Sequence, residues 1–181
     1  MNFDELIINR QSVRKYTDKK VEKYKIEKRI ETARMSPSAC NAQPWKFIVV
    51  DNQELINKIA KETYSRILSM NKFVFDAPVL IVIVMEKPNF SSQIGGRIKN
   101  KDFYLIDIGI AASNFCLQAT ELGLGTCMLG WFNEKPIAQI LNIPENKRIG
   151  LLISVGYPPD DYKKRMKIRK EYNKICSINK Y

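Results

Sequence analysis

Apolar and polar residues follow two rhythms along this chain. The helical rhythm, with apolar side chains every three or four residues, marks Phe3–Asn9, where Phe3, Leu6 and Ile7 share a face and Asp4 and Glu5 sit in the first turn. It returns over residues 23–35 through Ile26, Ile30 and Ala33, and Ser36 and Pro37 stop it. It marks 53–69 through Leu55, Ile56 and Ile59, with a break near 63–65, and then 102–122. It appears last over 134–141, with Pro136 in the first turn. Near-continuous apolar runs of strand length mark Trp45–Val50, 77–84, 125–131 and Arg148–Gly156. Trp45–Val50 is apolar at nearly every position, which predicts a central strand. Residues 87–101 hold Pro88, Gly95 and Gly96 and show little periodicity; they read as a long surface loop of the kind that serves as a lid.

The helix predicted over 102–122 is the longest and the poorest in charge. Only Asp102, Asp107 and Glu121 are ionised, while Ile106, Ile110, Ala111, Ser113, Asn114 and Leu117 surround it with apolar and small side chains. Such a helix is buried on most sides, and in a chain this short that suggests a second subunit as well as the sheet. Gly123 caps it.

The chain has 181 residues, the size of one domain, and its hydrophobic content of 45% is enough for a full core. No apolar run reaches membrane-spanning length and the first residues carry no signal-peptide core, so the expectation is neither a membrane protein nor an exported one. Cys40, Cys116, Cys127 and Cys176 show no C-x-x-C spacing and read as reduced thiols in a cytoplasm. Histidine is absent. Its absence excludes His-based triads, His-led zinc sites and imidazole acid–base catalysis, so reactive chemistry, if any, would come from a cofactor rather than from a metal or a catalytic side chain.

Net charge is +11, from 30 basic and 19 acidic residues. Residues 163–181 hold eight Lys or Arg against one acid, Glu171. A nucleic-acid or anionic surface must be weighed as a partner, but no base-reading motif is found and few aromatic residues interleave the basic runs.

Two stretches concentrate outward-reaching chemistry. In Arg10-Gln11-Ser12-Val13-Arg14 the residues Arg10, Ser12 and Arg14 alternate, so in an extended segment they point the same way, as a phosphate grip or as an ordinary exposed strand end. Ser36-Pro37-Ser38-Ala39-Cys40-Asn41-Ala42-Gln43-Pro44-Trp45 places hydroxyls and carboxamides between two prolines, and each proline predicts an extended residue before it, Ser36 and Gln43. Read alone, this stretch is also consistent with a solvated turn. Gly123-Leu124-Gly125 is not a dinucleotide fingerprint: Met128 stands where the third glycine belongs, and the order is helix then strand.

Taken in order, Arg10-x-Ser12-x-Arg14, Ser36-Pro37-Ser38-x-x-Asn41-x-Gln43-Pro44-Trp45, Asp107-Ile108-Gly109-Ile110-Ala111, the run from Gly123 through Met128 to Leu129-Gly130, and the basic C-terminal segment resemble the FMN-dependent nitroreductase family over almost the whole chain. The resemblance implies a single α+β domain over 1–181, with a mostly antiparallel central sheet flanked by helices. It also implies a homodimer built around the long central helix, with two FMN sites at the subunit interface. The implied chemistry is ping-pong: NADH or NADPH passes hydride to flavin N5, then leaves, and a nitroaromatic, quinone or similar electron-poor acceptor takes the electrons. By motif match, Arg10, Ser12 and Arg14 bind FMN from one subunit, and Pro37, Ser38 and Asn41, with Gln43 close by, come from the partner. Leu129 and Gly130 line the ring near N5 through their backbone. Lys167 and Arg169 match the pair that holds the phosphate, with Lys163, Lys164, Arg165 and Lys170 as rivals if the register shifts by a residue or two. Arg14 is the cation chosen to stabilise reduced flavin. Asn71 and Lys72 are candidates for the flavin edge, and residues 87–101 with Trp131 and Phe132 for the wall of the acceptor site. The alternative on the same fold is a flavin protein with another role: a dehalogenase, a flavin-consuming enzyme or an FMN store.

Overall fold

Apolar runs become strands here because both faces of the sheet are covered by helices. The computed structural model describes residues 1–65, 67 and 70–181, and the side chains of all of these except Gln93 and Arg97. In chain order the elements are α1 (Phe3–Asn9), α2 (Lys23–Arg34), β1 (Trp45–Val50), α3 (Gln53–Thr63) and β2 (Val79–Met85). They continue with α4 (Phe90–Lys99), α5 (Phe103–Glu121), β3 (Gly125–Leu129), α6 (Glu134–Ile140) and β4 (Arg148–Gly156). Among the described residues the sheet runs β1-β2-β4-β3, and every ladder is antiparallel. This is the α+β architecture that the motifs imply.

The period-two rule assigns the two faces. Val79, Ile81 and Ile83 of β2 pack with Trp45, Ile153 and Val155 against Ile26 and Ala33 of α2 and Ile108, Ala111 and Phe115 of α5. The alternate residues Leu80, Val82 and Val84 pack with Val50, Leu129 and Leu152 against Ile56 and Ile59 of α3 and Ile137 of α6. A strand covered on both sides has no polar face to show, which is why β2 reads as an unbroken apolar run.

Four expectations are corrected. The strand predicted to be central, β1, is an edge strand. Its apolar sequence reflects helices on both faces rather than strands on both sides, since Trp45 and Phe47 meet one layer and Ile48 and Val50 the other. Residues 87–101 are not a loop but contain α4, opened by Asn89, whose Oδ1 accepts the Ser92 N–H at 3.0 Å. Gly96 serves close packing: a Cβ there would fall 2.8 Å from the Lys101 carbonyl oxygen. The helix predicted over 53–69 ends at Thr63, inside the predicted break, and its far end, Ser69, lies outside the described residues. The third face position of α2 belongs to Arg29, which is fully buried, while Ile30 is half-buried.

Arg29 is an unusual core residue. Among the described residues its Nε, Nη1 and Nη2 have no hydrogen-bond partner, and its guanidinium lies 5.2 Å from the centre of the Phe115 ring. Burial pulls its pKa down to about 10, which still leaves it charged at neutral pH. A cation over a desolvated ring gains about 2 kcal/mol, whereas removing an ion from water costs several. The balance predicts that Arg29→Met stabilises the protein by about 1–4 kcal/mol. A higher denaturant midpoint at unchanged slope is the expected result, and a lower midpoint would mean that the guanidinium has a partner that outweighs its desolvation.

Candidate functional site

The first part of the site is built along the free edge of β3. Helix α1 ends at Arg10, whose backbone turns extended (φ −62°, ψ 123°). The chain then runs parallel to β3: Ser12 bridges Thr126, and the Val13 N–H donates to the Thr126 carbonyl at 2.9 Å. Extension separates the side chains. Val13 goes into the core, and Arg10, Ser12 and Arg14 line an open basin of about 270 Å³. The close approach requires a glycine, because a Cβ on Gly125 would fall 2.7 Å from the Val13 side chain.

The basic tail returns to the same basin. The Arg165 N–H donates to Gln11 Oε1 at 3.2 Å, and Arg165 Nη2 to the Ser12 carbonyl at 2.8 Å. Lys164 donates to Asn9 Oδ1, and Lys167 Nζ to the Ile7 carbonyl. Arg165, Lys167 and Arg169 thereby join Arg10 and Arg14 around one basin. Among the described residues none of these five cations is paired with a carboxylate. The crowding leaves its mark on Lys167, whose pKa is lowered first by burial and then by Arg10 and Arg169. Lys167 is half-buried, whereas Arg165 and Arg169 are exposed, as are the apolar Met166 (87%) and Ile168 (84%).

The Cys127 thiol lies beneath the basin. Burial pushes its pKa up while Arg14, Ser12 and Arg165 pull it down, and the net shift is upward, so it stays protonated and unreactive.

The second part is the 36–45 stretch, at the start of β1. Its conformation departs from expectation. Gln43 is not extended but left-handed, with φ 46°, as are Cys40 (52°) and Asn41 (52°). Local hydrogen bonds overrule the preference imposed by Pro44. The Gln43 N–H donates to Ser38 Oγ at 2.9 Å, and Gln43 Nε2 to Asn41 Oδ1 at 3.0 Å. Asp107, 4% exposed on α5, accepts the Ala39 N–H at 3.1 and 3.2 Å, and Asn89 Nδ2 donates to the Cys40 carbonyl at 2.8 Å. Pro37, Asn41 and Gln43 are exposed and Ser38 is half-buried. Three left-handed non-glycine residues within four positions are strain of the sort that accumulates at functional sites.

At the C-terminal end of β3, Leu129 places its side chain in the core, so only its backbone is available to a ligand. Gly130 has no conformational need to be glycine: its φ is not positive, and a Cβ there would meet nothing within 4 Å. The fold leaves open space at this position. Asn71 uses its carboxamide within the chain, donating to the Thr63 and Trp131 carbonyls at 3.1 and 3.4 Å. Lys72 beside it is exposed, and so is Trp131.

The chain thus brings Arg10, Ser12, Arg14, Lys167 and Arg169 together, and Pro37, Ser38, Asn41 and Gln43 together, but it separates the two groups. One flanks β3 and the other leads into β1, three strand spacings or about 14 Å away across the sheet. Among the described residues no hydrogen bond or ion pair joins them. Sequence reasoning had Arg165 only as a rival in the tail register and gave Asp107 no contact at all. Contacts between residues 165 and 12, or 107 and 39, leave no local signal in a sequence. Among the described residues no group of His, Cys, Asp and Glu could hold a metal ion, and no helix is long and apolar enough to cross a membrane.

Comparison with known proteins gives a consistent result. The model of the nitroreductase family matches residues 7–70 and 65–157. The oxygen-insensitive NADPH nitroreductase of Helicobacter pylori is 27% identical over 161 residues, covering 72% of this chain and 75% of that protein. A nitroreductase family protein from Clostridium novyi NT is 36% identical, with a TM-score of 0.79 over 91% of this chain and 89% of its own. An FMN-dependent nitroreductase from Clostridium difficile R20291 is 31% identical, with a TM-score of 0.78 over 97% and 98%.

The contact between Gly125 and Val13 ties the basin to the sheet, and it can be tested. Gly125→Ala forces the 10–14 segment away from β3, and overpacking of this kind costs about 1–3 kcal/mol. The expected outcome is a lower melting temperature together with weaker binding of phosphate-bearing ligands at the basin. Unchanged stability with unchanged anion affinity would show that the segment is not held by this contact.

Proposed function

The chain belongs to the nitroreductase family, and from that premise we propose that it is an FMN-dependent oxidoreductase. It takes electrons from NADH or NADPH and delivers them to nitroaromatic, quinone or similar electron-poor acceptors. The observation that carries the reading is the basin of five cations without a carboxylate partner among the described residues. Like charges converge stably only if an anion is expected among them, and the FMN phosphate, at close to two negative charges, matches that need. The relatives support the flavin and the nicotinamide: one is named FMN-dependent and another an NADPH nitroreductase.

Bound flavin would supply the redox chemistry, which accounts for a chain that has no histidine to act as acid or base. The protein's part is to hold and tune it. Arg10, Lys167 and Arg169 would take the phosphate, with Arg165 fixed beside them by Ser12 and Gln11. Ser12 offers a hydroxyl from the same side of the strand. Arg14, further along the strand in the direction of Gly130, would offset negative charge on the reduced ring. The backbone of Leu129 and Gly130 would lie against the ring, and the missing side chain of Gly130 permits a close approach.

Pro37, Ser38, Asn41 and Gln43 sit at the other edge of the sheet from this grip, and that separation supports a site completed by a second copy of the chain. The exposed Leu105 and Ile106 of α5, with Gly109 and Ser113, form an apolar and small-residue face on which such a copy could pack. Met166 and Ile168 on the tail are further apolar surface that a partner would cover.

Two outcomes are expected. The purified protein should show flavin absorbance that is bleached anaerobically by NADH or NADPH and restored by a nitroaromatic or a quinone. A colourless protein that takes up no FMN contradicts the reading, and bound flavin that no nicotinamide bleaches points to the FMN-store alternative. The double change Lys167→Ala with Arg169→Ala should weaken FMN binding by about ten- to a hundred-fold, as expected for lost charge-assisted bonds to phosphate. Quenching of flavin fluorescence measures it, and unchanged affinity would remove the tail from the site.

A further inference from the structure

The 36–45 stretch is held in a strained shape by bonds within it and by side chains from other elements, Asp107 and Asn89 among them. Ala39 opens the 3₁₀ turn Ala39–Asn41, so its N–H is the first donor of the turn and needs an acceptor. A capping side chain on the residue before a turn usually takes up one of the donors of its start. Here that residue, Ser38, makes no cap, because its Oγ accepts the Gln43 N–H instead. The acceptor is supplied by Asp107 on α5, through both carboxylate oxygens at 3.1 and 3.2 Å. Asp107 is 4% exposed, and among the described residues it has no other hydrogen bond and no ion pair. A carboxylate so deeply buried for the sake of one backbone N–H is costly, and its placement calls for an explanation beyond packing.

The consequence of this arrangement appears at the surface. With its oxygen accepting from Gln43, the Ser38 hydroxyl makes no donor bond among the described residues. With Oδ1 accepting from Gln43 Nε2, Asn41 leaves both hydrogens of Nδ2 unbonded among the described residues. The loop therefore presents donors, which suit the carbonyl edge of a planar heterocycle. This presentation depends on Cys40, Asn41 and Gln43 remaining left-handed, a conformation that persists only where surrounding contacts over-determine it.

We propose that Asp107 is the positioning residue of this site, acting through the Ala39 N–H to hold Ser38 and Asn41 in their donor-presenting geometry. The proposal rests on the reading that this loop completes the flavin site of a partner chain. Asp107 touches no ligand, and its effect should appear on the flavin bound by the other subunit.

The experiment uses full-length dimers loaded with FMN. Asp107→Ala should lower FMN affinity by about tenfold or more, and Asp107→Asn, which keeps an oxygen acceptor but loses the charge, by a few-fold. Ala39→Pro removes the donor and leaves the carboxylate in place. Proline is compatible with the extended Ser38 before it (φ −147°, ψ 154°). It should reproduce the loss, and the double variant Asp107→Ala with Ala39→Pro should be no worse than either single change. Additive losses, or unchanged affinity in both single variants, overturn the proposal.

Mixed dimers, purified through two different tags, separate positioning from general damage. Arg10→Ala chains paired with Asp107→Ala chains should regain one normal-affinity site per dimer, because one intact basin then faces one intact loop. Arg10→Ala paired with Asn41→Ala serves as the reference. If the reference pair regains a site and the Asp107 pair does not, Asp107 acts on its own fold and the proposal fails while the shared site stands. If neither pair regains a site, the shared-site reading fails and takes the proposal with it.

Discussion

Unpaired positive charge is the constraint on which this structure turns. Arg10, Arg14, Arg165, Lys167 and Arg169 surround one basin, and no carboxylate among the described residues neutralises them. The chain arranges this at some cost: the tail is drawn back over α1 and the 10–14 segment by bonds to main-chain carbonyls and carboxamides, groups that hold the cations without cancelling their charge. Carboxylates in those places would have stabilised the isolated chain better, and would have filled the site. The proposed phosphate ligand would offset that cost.

The sheet sets the two edges between which the proposed site would be divided. β3 is an edge strand, so its free side can accept the 10–14 segment as a partial fifth strand, and Gly125 lets Val13 lie flat on it. β1 is the opposite edge, and the strained 36–45 loop leads into it. α5 underlies the sheet between the two, contributes Asp107 to the loop, and exposes Leu105 and Ile106 on its outer side. The same element fixes the loop and carries the exposed apolar surface on which the proposed second copy would pack.

Most of the fold was legible because burial on two faces leaves a plain signal. β2 is apolar at every position, and α5 has almost no charge. Two errors, at β1 and in α2, share an origin: a sequence reports the environment of a side chain, not the element that provides it. β1 looks central because helices cover both its faces, although strands pair with only one side. α4 was hidden by Gly95 and Gly96, neither of which turns the chain, and Gly96 is there for close packing. Arg29 occupies a core position that no hydrophobic pattern could show. In the site, Arg10, Ser12 and Arg14 were legible from alternation alone, because extension is a local property. Lys167 and Arg169 needed the family resemblance, and the hold on Arg165 and the capping of Ala39 by Asp107 needed coordinates. Gly130 is the clearest case of a residue that the fold does not explain, since neither its backbone angles nor its neighbours exclude a side chain.

The central claim is that the five cations exist for a phosphate on a flavin. It can be tested by titrating the protein, freed of any flavin, with FMN and with riboflavin, which has the same ring and sugar chain but no phosphate. With charge-assisted bonds to phosphate at roughly 1.5–3 kcal/mol each, FMN should bind at least about a hundred-fold more tightly at low salt, and the gap should narrow as salt is added. Equal affinity for the two, at any ionic strength, would mean that the basin does not read a flavin phosphate, and the account of the site built on it would be wrong.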